Sequence, residues 1–407
     1  MRRVVITGVG AVSPLGGSAP ELVSALVAGR SAVRRMQEWD AVPLRSRVAA
    51  PAVLQGEKAI PRQMRRTMSR LSIFAAQAAS EALADAKLSL ASQDTTRVAC
   101  LIGSTMGGAI ALHRTYSSLI PTWNTNELSS TMFFQCLPNT AAINVAQYLG
   151  LLGVVIGSSA ACSSALQAIG GGLDLIRLGR QDIALCGGAE ELHETVTGSF
   201  DMLLATSTAY NDEPQRTPRP FDAARDGLVC GEGAGILVLE ERERARARGA
   251  PILAEVRGYH TCTSGMHMSE SNRSSIVRCI GEALRDAELD PTRVHYVNAH
   301  ATGTRQGDTE EAAALREVFA DRVPVSSLKG YLGHTLGASG AIELAACLAM
   351  MEQGVVLPTR NLEHPAPECE GLWHVVRPEP RRLDVVLKNS FAFGGINACL
   401  VLSRHEP

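Results

Sequence analysis

Three stretches of this 407-residue chain place side chains that could carry an acyl group or a proton. The first is GSSAACSSALQAIGGGLDLIRLG, which sets Cys162 between a strand-like apolar run and a helical one. A cysteine at a helix start meets unpaired N–H groups and the positive end of the dipole, which favour the thiolate. Small neighbours leave room for a substrate carbonyl, and the Cys162 amide could face its oxygen. Strand, tight turn, nucleophile and helix is the logic of a nucleophile elbow. The second stretch, VNAHATGTRQGD, ends a strand at His300 and follows it with the hydroxyls of Thr302 and Thr304. Strand ends are where sites form in α/β proteins. The third, SSLKGYLGHTLGASGAIE, places His334 among glycines, five residues after Lys329. A fourth stretch, NSFAFGGIN, makes a tight turn of Gly394 and Gly395 beside Phe393. Taken singly, each has a plain structural explanation: a buried thiol, a satisfied histidine, a packed glycine run, a β-turn.

Other signals exclude more than they suggest. GVGAVS, residues 8–13, begins like a dinucleotide loop, but Ser13 stands where the third glycine belongs and no ribose-binding acid follows. None of the ten cysteines forms a CxxC pair, so no metal site is expected. Most lie in apolar surroundings, as buried free thiols do, and with no secretory leader they point to a reducing cytoplasm. A net charge of −2 and 4% aromatic residues give no footprint for nucleic acid. No apolar run is long enough to span a membrane.

These residues need a scaffold, and the pattern supplies one. Short β-branched runs at 4–8, 98–103, 154–157, 182–188, 235–240, 295–300 and 385–391 read as strands. Alanine-rich segments at 68–87, 163–179, 275–288, 309–319 and 338–353 read as helices. The alternation implies α/β layering, and nearly continuous apolar strands imply sheets covered on both faces. The charged run at 241–252 is a plausible seam between halves 1–248 and 249–407.

In this order and spacing the motifs resemble the elongating β-ketoacyl-acyl-carrier-protein synthases of the thiolase-like superfamily. The resemblance runs from VVITGVGAVSPLG through GSTMGG, ACSSAL, TPRPFDAARDGLVCGEGAG, NAHATGT and LKGYLGHTLGASG to NSFAFGGIN. It implies a five-layered αβαβα fold built from two duplicated halves. It implies that Cys162 holds an acyl group while His300 and His334 assist decarboxylation of a malonyl extender and condensation. Cys162 and Phe393 would lend their amides to an oxyanion hole. Lys329 and Glu311 resemble a buried charged pair near the histidines. Thr302 and Thr304 match contacts to a phosphopantetheine arm. Met106, Phe200 and Phe391 match positions lining the acyl and substrate path, and Phe393 with Gly394 matches a gating loop. Arg62, Arg65, Arg66 and Arg70, by themselves a solvated helix face, become candidates for docking an acidic acyl carrier protein. The resemblance implies no metal and no cofactor beyond the carrier's phosphopantetheine. It implies a dimer: a homodimer, or a heterodimer with a chain-length factor.

Some residues depart from the family pattern: Ala301, Arg305, Gly330, Ala392 and Met106. They favour a specialised polyketide or aryl-polyene pathway over housekeeping fatty-acid synthesis. A thiolase using coenzyme A thioesters would need a second active cysteine in the C-terminal glycine-rich loop, where Cys399 follows a strand-like pattern instead. A chain-length factor would lack the nucleophile. A non-catalytic acyl-binding scaffold is the remaining alternative.

Overall fold

The computed structural model describes residues 1–405. Two sets of five strands carry the architecture. The first set is β1 (Val4–Val12), β2 (Val98–Gly103), β3 (Val155–Ser158), β4 (Ile183–Glu190) and β5 (Gly233–Glu241). The second is β6 (Ala254–Thr263), β7 (Tyr296–Asn298), β8 (Pro324–Ser326), β9 (Val385–Ala392) and β10 (Ile396–Ser403). In space the first set runs β3-β2-β4-β5-β1 and the second β8-β7-β9-β10-β6. The two orders are the same permutation of chain order. The pairing senses match as well: the three outer strands are parallel, and the last two join antiparallel. A short antiparallel ladder, Val5 with Glu255 and Ile6 with Ala254, joins the sets at β1 and β6.

Strand periodicity explains the layering. Successive side chains point to opposite faces. Ala99 and Leu101 of β2 enter the same central core as Leu237 and Leu239 of β5. Val98, Cys100 and Ile102 enter a different, outer core beneath the helix Arg70–Asp85. In the second set Ala398, Leu400 and Leu402 face the central core, whereas Cys399 and Val401 face the helices Arg273–Asp286 and Arg305–Phe319. The central layer holds the helices Ser164–Arg177 and Ser339–Gln353. Ser339–Gln353 is buried almost all round, which accounts for its lack of a polar face. The order is helix, sheet, helix, sheet, helix.

The glycines that resembled a nucleotide loop serve packing. A Cβ on Gly8 would lie 2.2 Å from the carbonyl oxygen of Ala82 and 2.8 Å from the Ala86 Cβ. Gly258, in the first strand of the second set, repeats this against Ala283 and Ala287, at 2.3 and 2.8 Å. Each glycine lets a helix lie directly on the first strand of its own set. The duplication is therefore visible at single contacts, although no repeat period is detectable in sequence.

Gly258→Ala is expected to destabilise the fold by about 1–3 kcal/mol through overpacking. Gly281→Ala, in a helix with open space around it, is expected to stabilise by about 0.5–1 kcal/mol. Paired thermal or denaturant unfolding of the two variants checks the contrast.

Candidate active site

Cys162 follows β3 on a tight turn. Ala161 before it has φ +46°, the left-handed region that costs an alanine about 1–2 kcal/mol. A single helical turn, Ala161–Ser163, then leads into Ser164–Arg177. Hydrogen bonds hold this geometry: Ala160 N–H donates to Ser164 Oγ at 2.9 Å, and Ser164 Oγ–H lies 2.6 Å from the Ala161 carbonyl. Ser163 Oγ lies 3.0 Å from the carbonyls of both Ser390 and Ile396, which flank the Phe393 turn. The nucleophile turn and that hairpin are thus fastened together.

His300 lies just beyond β7, which ends at Asn298 rather than reaching residue 300 as expected. Glu311 holds it there, accepting from the His300 and Ala301 amides at 2.9 and 2.7 Å and from Asn389 Nδ2 at 3.2 Å. His334 is clamped by its backbone: its N–H donates to the Val229 carbonyl at 2.7 Å, and its carbonyl accepts from Gly231 N–H at 2.8 Å. The result is a compact trio. His334 Nε2 lies 2.9 Å from Cys162 Sγ, and the two imidazoles meet edge-to-face with centroids 5.2 Å apart. All three side chains are buried, and each imidazole presents an Nδ1 without a hydrogen-bond partner.

A cavity of about 500 Å³ reaches the trio. Thr302 and Thr304, their hydroxyls 3.1 Å apart, line it together with Phe391 and Phe393. The Phe393 turn has φ +87° at Gly394 and +70° at Gly395, which suits glycine and little else. Phe200 stands behind this turn, its ring 6.0 Å from that of Phe393. Neither Phe200 nor Met106 reaches the cavity. Phe200 is buried in the apolar cluster around Cys162, and Met106 is partly exposed on the loop after β2.

Three expectations need correction. Lys329 does not pair with Glu311. Its ammonium bonds Glu343 Oε1 at 2.7 Å, and Lys388 bonds the other oxygen at 2.6 Å. Glu311 still orients His300, but through backbone amides. Second, the resting sulfur is not a thiolate. Burial pushes the Cys162 thiol up to about 12, and the charge of Lys329 offsets this only in part. Burial, helped by the charges of Lys329 and Lys388, holds both imidazoles well below the usual histidine range. These shifts favour the uncharged forms, a thiol beside two neutral rings. Third, Arg70 is not a free docking residue. It pairs with buried Glu232 at 2.7 Å and lies over the Phe74 ring. Arg62 and Arg66 remain exposed, while Arg65 bonds Glu57 and the Ile60 carbonyl.

Sequence reasoning missed Glu190 as well. This buried carboxylate accepts from the amides of Thr105, Met106 and Gly337 and from Ser104 Oγ, all within 3.2 Å. It ties the loop after β2 to the turn after His334. The signal was an acid closing the otherwise apolar strand IALCGGAE.

Sequence comparison agrees with this geometry. The β-ketoacyl synthase N-terminal domain model matches residues 1–245, and the C-terminal domain model matches residues 253–363. The chain belongs to the β-ketoacyl synthase family. It is 39% identical to the tetracenomycin polyketide synthase ketoacyl synthase alpha subunit of Streptomyces glaucescens, over 99% of this chain and 97% of that one. It is 38% identical to 3-oxoacyl-[acyl-carrier-protein] synthase 1 of Escherichia coli K12, over 99% of both. A β-ketoacyl synthase structure from Burkholderia phymatum superposes with a TM-score of 0.95 at 43% identity, covering both chains fully. A type II polyketide acyl-carrier protein in complex with its ketosynthase superposes at 0.91 with 31% identity, again over both full chains.

The thiol assignment predicts that alkylation of Cys162 by iodoacetamide keeps accelerating above pH 9. A rate that levels off near pH 7 would mean a thiolate. Peptide mass mapping across pH reads the difference.

Proposed function

We propose that this synthase elongates acyl chains by decarboxylative condensation. Cys162 Sγ attacks a carrier-bound acyl thioester and gives its proton to His334 Nε2. The C–S bond to the carrier's phosphopantetheine breaks, its sulfur takes that proton from His334, and the acyl group rests on Cys162. A malonyl group on a second carrier then enters past Thr302 and Thr304. His300 and His334 donate to its thioester carbonyl, carbon dioxide leaves, and the electron pair becomes an enolate held by those donors. The enolate carbon attacks the acyl–Cys162 carbonyl, whose oxygen faces the Cys162 and Phe393 amides. Collapse expels the Cys162 sulfur, which takes a proton from solvent and returns to the thiol, and leaves a β-ketoacyl group on the carrier. The observation that carries this reading is the 2.9 Å contact of Cys162 with His334, beside His300 at the end of a cavity.

The remaining roles belong to the same proposal. Exposed Arg62 and Arg66, with Arg65, suit an acidic carrier protein. The substrates bring the phosphopantetheine, and the chemistry requires no other cofactor. β3 is a sheet edge with Val155 38% and Ile156 43% exposed, which suits a second subunit adding to that edge. That subunit is another copy or a chain-length factor. Among the described residues no helix is long and apolar enough to cross a membrane, and the ten free cysteines fit a reducing cytoplasm. Residues 1–248 and 249–407 are the two halves of the duplication. Near-equal identity to the polyketide and fatty-acid relatives does not favour either pathway. The departures at Ala301, Arg305, Gly330 and Ala392 favour the specialised one.

Incubation with acyl-loaded carrier protein is expected to give a stable adduct on Cys162 by intact-mass analysis, absent in Cys162→Ala. His300→Ala should still acylate but lose condensation by about 10²–10³-fold, the usual cost of one oxyanion donor. Condensation at the wild-type rate in Cys162→Ser would overturn the assignment.

A further inference from the structure

Lys388 lies in β9, within VVLKNSFA, a strand whose eight residues are all buried. Strand alternation aims it at the central layer, on the same face as Val386. There it meets Glu343 of the helix Ser339–Gln353 at 2.6 Å, and it also donates to the Asn389 carbonyl at 2.7 Å. Lys329, from the short helix after β8, takes the other Glu343 oxygen. Both lysines are fully buried. A lone Lys329–Glu343 pair would have been neutral, so the second lysine requires an explanation.

The charge count supplies one. The buried groups behind the imidazoles are Lys329, Lys388, Glu343 and Glu311, two positive and two negative. Glu311 reaches this set through Asn389, whose side chain bonds it and whose carbonyl Lys388 bonds. Glu190, held by Ser104 Oγ and by the amides of Thr105, Met106 and Gly337, acts on the Cys162 thiol rather than on the imidazoles. Tyr296 and Cys347 also face the triad, and burial keeps both protonated. Without Lys388 two carboxylates would face one ammonium, and one of the two positive charges that oppose protonation of His300 and His334 would be gone.

We propose that Lys388 is a positioning residue of the condensing site: acting across Glu343, it supplies the second buried positive charge that biases His300 and His334 to their uncharged forms. The bias matters because a protonated His334 cannot take the proton of Cys162. After burial and Lys329, the charge of Lys388 also opposes protonation of both imidazoles. The inference rests on the condensing function proposed above.

The test is the pH dependence of Cys162 acylation by a hexanoyl-loaded acyl carrier protein, followed by intact mass from pH 4 to 8. In Lys388→Met the pH of half-maximal rate on the acid limb should rise by about one unit. Lys388→Arg keeps the charge and should restore the wild-type limb. Where Lys388→Met does not fold, Lys388→Gln keeps a donor beside Glu343 and carries the same comparison. A uniform loss of rate with an unmoved acid limb overturns the assignment and leaves the family function intact. Failure of the wild-type enzyme to acylate at any pH overturns the condensing function, and the role of Lys388 with it.

Discussion

A sulfur and an imidazole nitrogen held 2.9 Å apart in a buried pocket set the terms for the rest of the molecule. In water the thiol would ionise more easily but would also hydrolyse whatever it carried. Burial reverses both tendencies. It raises the thiol, lowers the imidazoles, and protects a thioester from solvent. In the proposed reaction the proton moves as the carbonyl is attacked. Placing the pair requires backbone precision from two distant stretches of chain. The left-handed turn at Ala161 and the clamp of residues 229–231 around His334 provide it.

Buried charge is the second constraint, and it is costly unless paired. The site meets the cost with carboxylates whose partners are mostly backbone amides: Glu311 under His300, and Glu190 under the loop after β2. These acids fix loops, while Glu343 and its two lysines fix the local field. Two ammoniums hold Glu343 below the usual carboxylate range despite burial. Orientation and electrostatics thus rest on different residues.

Much of this was legible in the sequence where a motif had to be contiguous. The strand at 98–103 has its expected bounds, because VACLIG is apolar on both faces. The trio was legible because each member sits among small residues that only a close approach requires. β6 was not foreseen: AEVRGYHTCT mixes charges, a bulge near Gly258 and half-exposed positions, so neither period dominates. β10 was hidden behind its glycine turn. The charged partners were misread because pairing across layers leaves no trace in spacing. Glu343 closes the LKGYLGHTLGASGAIE run, yet only the fold brings it between Lys329 and Lys388. The thiolate expectation counted the helix dipole and omitted desolvation, which is the larger effect at full burial.

Of the ten cysteines only Cys162 lines the cavity, and the central claim is that a carrier's arm delivers its acyl group there. A carrier protein whose phosphopantetheine ends in a bromoacetyl group tests it directly. Peptide mapping should find a one-to-one conjugate at Cys162, lost in Cys162→Ala. Conjugation at another cysteine, or none while free iodoacetamide still labels Cys162, would contradict the account.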